Sequence, residues 1–432
     1  MKKALPCGLA VVSVAVALLG CNATGSGTPP VSGAALRVAA ASCVRSVPNP
    51  LPSPVASAFA AGIAEVKGVP GIAIALISQG KTYQYYTGYA ETASRTCVTP
   101  KTIMELGSLT KTFTAALLAM DYGKHGIAPN TNPAKWIDTL HAGNRVGPGC
   151  PAPPRPTPVP ASAYGVMATM TLSMLATHTS GLPSVPAASE TLAERPCYSA
   201  NELVNFVETY PSPLPAPTPP HPYLYSNIGF GTLGYVLQGI HGQPWFKQVT
   251  DVLLVPLGMT HTYDVEDVPQ KNYAQGYNCS GTAPVEHWPL DAWPAAGTLR
   301  STLPDMTRYL AAAMQVSGTP ATIAAAMARA EKPGGHVFTS GGDAQAMAWA
   351  VRAAPPYLVW KDGGTDGFNT YIAVVAAASG TPQSGVVVLT NRAPVAANPG
   401  PSCAPYAGSP ADAIGFRVLD DIAGPSSRTA KR

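Results

Sequence analysis

The chain has 432 residues, with 46 Pro and 41 Gly making about a fifth of it, below the level that marks a low-complexity protein. Hydrophobic residues reach 46%, so a large core is available. Charged residues are only 12%, and a net charge of +4 leaves no basic footprint for nucleic acid and no acidic tail. The length fits two domains or one large enzyme domain carrying insertions.

Lys2 and Lys3 open the chain, and an apolar run over 4–20 follows. That run is too short for a membrane span and has the plan of a secretory signal, residues 1–20. Leu18-Leu19-Gly20 before Cys21 resembles the lipobox of bacterial lipoproteins. The resemblance implies lipidation of Cys21 and an exported, cell-envelope protein that meets a membrane only through that lipid. The alternative is an ordinary signal cleaved near Ala23-Thr24-Gly25. Residues 21–54 are small, polar and Pro-rich and read as a tether.

A helix is expected over 55–66. The run Gly71–Ser78, the turn Gln79-Gly80 and residues 81–89 read as a β-hairpin, in which Tyr83, Tyr85, Tyr86 and Tyr89 are packing residues. A helix over 108–124 presents Phe113, Leu117, Leu118 and Met120 as its apolar side. Segments 147–160 and 211–222 are Pro-dense and therefore surface excursions. Helical spacing returns over 172–176, 228–240, 245–254 and 306–314. Strands are expected over 346–353, 357–360, 370–375 and 385–389, with a last helix over 411–422 and a tail at 425–432.

A hairpin first, helices in the middle, strands and a helix last imply an α/β (α+β) fold. One antiparallel sheet is built from both ends of the chain and flanked by helices, with a helical insertion over roughly 125–300. The folded domain is expected over 55–424.

Beyond Cys7 and Cys21, export leaves Cys43, Cys97, Cys150, Cys197, Cys279 and Cys403 as disulfide candidates. None forms C-x-x-C or stands beside a His at zinc spacing, so no metal site is expected. Cys150 with Cys197 is the favoured pair because both flank one Pro-rich excursion.

Two S-x-x-K tetrapeptides occur. Ser78-Gln79-Gly80-Lys81 crosses the hairpin turn, where the two side chains share no face. Ser108-Leu109-Thr110-Lys111 opens a helix, where i and i+3 project together and the helix terminus favours an anion. A serine hydroxyl is a poor nucleophile until a neighbouring base takes its proton. Tyr225-Ser226-Asn227 is the one Y-x-N in the chain. Lys361-Asp362-Gly363-Gly364 joins one expected strand to the next, a context that K-x-G lacks at Lys124 and Lys332.

In that order, S-x-x-K, Y-x-N and K-x-G resemble the serine β-lactamase and penicillin-binding protein superfamily, particularly its class C branch. Linking stretches agree: Thr177-His178-Thr179-Ser180-Gly181-Leu182-Pro183, Pro256-Leu257-Gly258-Met259 and Ala296-Gly297-Thr298-Leu299-Arg300-Ser301. The resemblance covers roughly 55–424 and implies a β-lactamase/transpeptidase-like fold without a cofactor. It also implies Ser108 as the acylated nucleophile, with Lys111 and Tyr225 sharing the proton work, the general base left open between them. Asn227 would orient Lys111 and the substrate amide, and Lys361 would hold a substrate carboxylate. The N–H groups of Ser108 and Gly364 would form an oxyanion hole beside Gly363.

Asp362 departs from the pattern, which has a hydroxyl there. An ionised carboxylate donates no hydrogen bond and repels a substrate carboxylate, which disfavours β-lactams. His178 reads as a turn-stabilising residue rather than a base, since no triad surrounds it. Trp349 and Phe368 read as core. No G-x-S-x-G, H-E-x-x-H or Walker loop appears. The expected activity is that of a D-alanyl-D-alanine carboxypeptidase or endopeptidase of peptidoglycan. A class C-like β-lactamase, an esterase on the same scaffold and a catalytically weak penicillin- or peptidoglycan-binding sensor are the rivals.

Overall fold

The run Gly71–Ser78 is apolar at nearly every position, which is what a strand covered on both faces requires. In the computed structural model it lies near the middle of a nine-stranded antiparallel sheet. Residues 43–124, 126–137, 150, 166–186, 197–210, 222–289, 292–333, 343–352, 357–376, 382–395, 403 and 408–423 are described. The expected signal, Cys21, residues 21–42, nearly all of both Pro-dense excursions and the tail lie outside them.

In chain order the strands are β1 (Arg45–Val47), β2 (Gly71–Ser78), β3 (Lys81–Glu91), β4 (Thr96–Cys97), β5 (Ile103–Glu105), β6 (Gly276–Tyr277), β7 (Pro284–Val285), β8 (Arg300–Thr302), β9 (Ala344–Gln345), β10 (Ala350–Arg352), β11 (Tyr357–Gly364), β12 (Asn369–Ala376) and β13 (Pro382–Thr390). The main sheet runs β1-β3-β2-β13-β12-β11-β10-β9, with β4 on the end of β3. The first hairpin and the C-terminal strands therefore meet along β2 and β13, as expected from a sheet built from both ends.

Period-two alternation assigns the two faces. Ile72, Ile74 and Leu76 join Tyr371, Val386 and Val388 on one face, covered by helices α1 (Ser53–Ala64) and α11 (Pro410–Ala423) through Phe59, Ile414 and Val418. Ala73, Ala75, Ile77, Ile372 and Val387 belong to the other core. That core also takes in α2 (Thr110–Asp121), α5 (Asn227–His241), α9 (Leu303–Ala313) and α10 (Ala321–Ala330). The remaining described α-helices are α3 (Leu172–Ala176), α4 (Ala200–Thr209), α6 (Trp245–Val249), α7 (Val255–Leu257) and α8 (Pro294–Gly297), with a π-helical turn over Thr250–Leu254 joining α6 to α7.

The disulfides join Cys43 to Cys97, Cys150 to Cys197 and Cys279 to Cys403. Among the described residues no helix is long and apolar enough to cross a membrane.

Several boundaries differ from the sequence expectation. The tether assigned to 21–54 does not extend past Cys43, which is buried and bridged to Cys97. Beyond it, β1 pairs with β3 with Arg45 opposite Tyr86, and α1 already begins at Ser53. A three-residue strand among prolines fits only an edge, so its pattern was hidden in the Pro-rich stretch. The strand expected over 346–353 shrinks to β10 because Ala348 adopts φ +66°, which no strand accommodates. The helix expected from Ser108 starts as a 3-10 turn, Gly107–Leu109, before α2. Trp349 and Phe368 are buried core side chains.

Phe59 is 1% exposed beneath the C-terminal helix. Phe59→Ala is expected to lower unfolding free energy by about 3–5 kcal/mol, read from the urea midpoint at unchanged m-value.

Candidate active site

Ser108 is placed by a backbone constraint. Gly107, just before it, has φ +52°, and a Cβ there would stand 2.7 Å from the carbonyl oxygen and 2.8 Å from the nitrogen of Gly364. Only glycine satisfies both the left-handed turn and this approach. A Cβ on Gly363 would likewise stand 2.2 Å from the carbonyl of Leu106. The start of α2 is thus pressed against the end of β11. Residues 361–364 are strand, not the connecting loop expected of them, and they pair with β12 from Lys361–Ile372 to Gly364–Asn369.

Lys111 follows Ser108 by three residues and is fully buried. Its Nζ donates to Ser108 Oγ at 2.9 Å, Asn227 Oδ1 at 2.7 Å and the Ala296 carbonyl at 2.7 Å. Tyr225 donates its hydroxyl to Ser108 Oγ at 2.5 Å. The Nζ atoms of Lys111 and Lys361 lie 5.0 and 5.1 Å from the Tyr225 ring centroid. Burial pushes the Tyr225 phenol up, but the two ammonium groups, Lys111 first, outweigh it, and its pKa falls below the ordinary value. Burial pushes Lys361 down, and the nearby Asp362 and Tyr225 more than reverse this, so its pKa is raised. Lys361 Nζ is 3.1 Å from Asp362 Oδ1.

The structure brings Ser108, Lys111, Tyr225, Asn227, Lys361, Gly363 and Gly364 to one place. Ser78 and Lys81, the other S-x-x-K, were expected to share no face, but they are directly opposed across the β2–β3 turn and so project from the same side of the sheet. They lie on strands separated from β11 by β13 and β12. A cleft of about 400 Å³ opens on Ser108, with Tyr223, Trp360, Gln345, Asp362 and Gly364 in its walls.

His178 stabilises a turn, as expected from the sequence, but the contacts it makes lay outside that reading. His178 has φ +57° and is buried, and its Nδ1 accepts the backbone N–H of Ser226 at 3.1 Å. Its ring lies 4.4 Å from that of Tyr225. Burial, and then Lys111 and Lys361, hold its pKa well below the ordinary range, so it adds no third cation. The turn around it also receives the N–H of Leu224 at the His178 carbonyl and that of Asn227 at the Ser184 carbonyl. Ser226 caps α5 through Gly229 N–H and donates to the Pro183 carbonyl. The T-H-T-S-G-L-P stretch is therefore a clamp on the Tyr225 segment.

Glu105, three residues before Ser108, is buried and accepts from Tyr273, from the Trp288 N–H and, at 3.1 Å, a contact with His287. Arg300 lies 3.9 Å away. Burial raises the Glu105 carboxyl, but the His287 hydrogen bond and the Arg300 charge together outweigh it and leave the pKa lowered. This pair joins β5 to β8 behind the serine turn.

A family model described as Beta-lactamase matches residues 56–400. A beta-lactamase of Escherichia coli strain K12 is 28% identical over 247 residues, and the match spans 57% of each protein. The chain thus spans little more than half the length of that relative. A class C beta-lactamase from Rhodobacter sphaeroides has the same fold at a TM-score of 0.64 and 23% identity, covering 86% of this chain and 100% of that one. A beta-lactamase/D-alanine carboxypeptidase from Pseudomonas syringae superposes at 0.61 with 23% identity, over 85% and 98%.

Tyrosinate absorbance offers a direct check on the electrostatics. One tyrosine is expected to ionise below the usual value of about 10, to vanish from the titration in Tyr225→Phe, and to move upward in Lys361→Met. A titration in which no tyrosine ionises early contradicts the geometry.

Proposed function

The chain belongs to the beta-lactamase family, and from that premise we propose that it is a serine hydrolase working through an acyl-enzyme on Ser108. The proposed substrates are D-alanyl-D-alanine peptides of peptidoglycan, cut in carboxypeptidase or endopeptidase fashion. One observation carries this reading: Ser108 Oγ stands between Lys111 Nζ at 2.9 Å and the Tyr225 hydroxyl at 2.5 Å.

With its pKa lowered by two ammonium groups, Tyr225 as phenolate takes the Ser108 proton. Ser108 Oγ then attacks the amide carbonyl, and its oxygen takes up negative charge beside the N–H groups of Ser108 and Gly364. Such a donor is typically worth about 3–4 kcal/mol of barrier. Tyr225 passes the proton to the leaving amine, and water reverses the sequence to release the acyl group. Lys111 fixes Ser108 and Asn227 in register throughout. The signal and lipobox-like start would deliver the protein to the cell envelope, where its substrate lies.

The second reading is a class C-like β-lactamase, favoured by the names of the relatives and opposed by Asp362. An esterase on the same scaffold and a sensor of little activity are tested by the same experiments. Purified protein exposed to a fluorescent penicillin and to muropeptides is expected to carry an adduct on Ser108 and to cleave the peptides, with D-Ala released by carboxypeptidase action or cross-linked dimers separated by endopeptidase action. Ser108→Ala loses both. No adduct and no cleavage of either kind would reject the peptidase reading, and rapid nitrocefin turnover would favour the β-lactamase.

Tyr225→Phe is expected to slow acylation by about 100-fold or more. Activity that needs the phenolate falls as pH drops through the Tyr225 pKa. Lys361→Met disfavours the phenolate and so moves the acid limb of kcat/KM to higher pH; an unmoved limb assigns the base elsewhere.

A further inference from the structure

The charges that line the cleft are arranged front to back. Lys361 and Asp362 are neighbours on β11, 3.1 Å apart, yet the Lys361 side chain is 9% exposed and that of Asp362 is 43% exposed. An incoming group therefore meets the carboxylate before the ammonium. Tyr223 and Trp360 line the same cleft and present aromatic surface near Asp362. Behind Trp360, Asp343 accepts its indole N–H at 3.2 Å and lies 3.6 Å from Arg352, so that arginine already faces a carboxylate of its own.

We infer that the subsite over Lys361 and Asp362 selects substrates that place an ammonium there and rejects those that place a carboxylate there. A carboxylate would have to share Lys361 with Asp362 and stand against a like charge. An ammonium meets an opposite charge and aromatic faces, the combination that favours organic cations. Asp362 is thus a specificity-determining residue. The inference rests on the Ser108 acyl-enzyme reading and sharpens it. Of the two peptidase forms it selects the endopeptidase, whose scissile amide need not adjoin a free C-terminal carboxylate.

The test uses acyl-D-alanyl thioesters in two matched series, with thiol release followed by a disulfide reagent. One series varies the leaving thiol among thiocholine, 2-methoxyethanethiol and thioglycolate. The other keeps the neutral thiol and places the ammonium, neutral or carboxylate group on the acyl part. Comparing each substrate's ratio of wild type to variant removes differences in intrinsic reactivity. In at least one series, Asp362→Asn is expected to lower the ammonium-to-carboxylate ratio of kcat/KM at least tenfold. Asp362→Thr, which restores a hydroxyl, is expected to shift it further toward the carboxylate.

Both variants are first checked for an unchanged melting temperature and for a Ser108 acyl adduct by mass spectrometry. An adduct on Ser108 with ratios that neither variant moves in either series overturns the inference and leaves the acyl-enzyme intact. Absence of adduct and turnover in the wild type overturns both.

Discussion

Everything in this site depends on burying one ammonium group. Lys111 has no exposed surface, and an uncompensated buried cation costs several kcal/mol. An ammonium has three protons to give, and here each has an acceptor: a side chain on its own helix turn, a side chain at the start of α5, and a main-chain carbonyl just before β8. Three distant parts of the chain converge because one charge requires them. The same charge then acts on Tyr225, whose phenol would otherwise be pushed up by burial. A cation held for structural reasons thereby sets the acidity of its neighbour.

Convergence needs a rigid frame, and close backbone contact supplies it. Gly107 against Gly364 and Gly363 against Leu106 leave no room for a side chain, which locks the serine turn to the sheet. The Glu105–Arg300 pair ties the preceding strand to β8, and the His178 turn clamps the segment that carries Tyr225 and Asn227. Helical and sheet regions share a continuous apolar core through α2. The cleft thus lies where two kinds of structure are fastened together.

The frame was legible in the sequence where side chains announce it. The i, i+3 spacing of Ser108 and Lys111 and the both-faces-buried run of β2 translate directly into geometry. The supports were not legible where backbone atoms or buried partners do the holding. Ala296 contributes a carbonyl, which every residue type has. His178 was legible as a turn-stabilising residue, but what it holds was not, because its partner, the N–H of Ser226, lies 48 positions away and carries no side-chain signature. Residues 43–54 looked like tether because an edge strand of three residues among prolines has no periodicity to detect. Gly363 and Gly364 looked like a loop, yet their role is to let a strand pass close to a helix turn.

The three acceptors around Lys111 also bear on the direction of proton flow. An ammonium gives all three hydrogen bonds at once, but a neutral amine keeps two protons and gains a lone pair. Loss of a proton must therefore turn one of its contacts around. Neither the Asn227 carbonyl oxygen nor the Ala296 carbonyl has a proton to return, so the partners that can reverse are the hydroxyls of Ser108 and Tyr225. The charge state of Lys111 is thereby tied to the orientation of the hydroxyls of Ser108 and Tyr225, the two groups between which the proton moves as the reaction runs forward to an acyl group and back to a free serine.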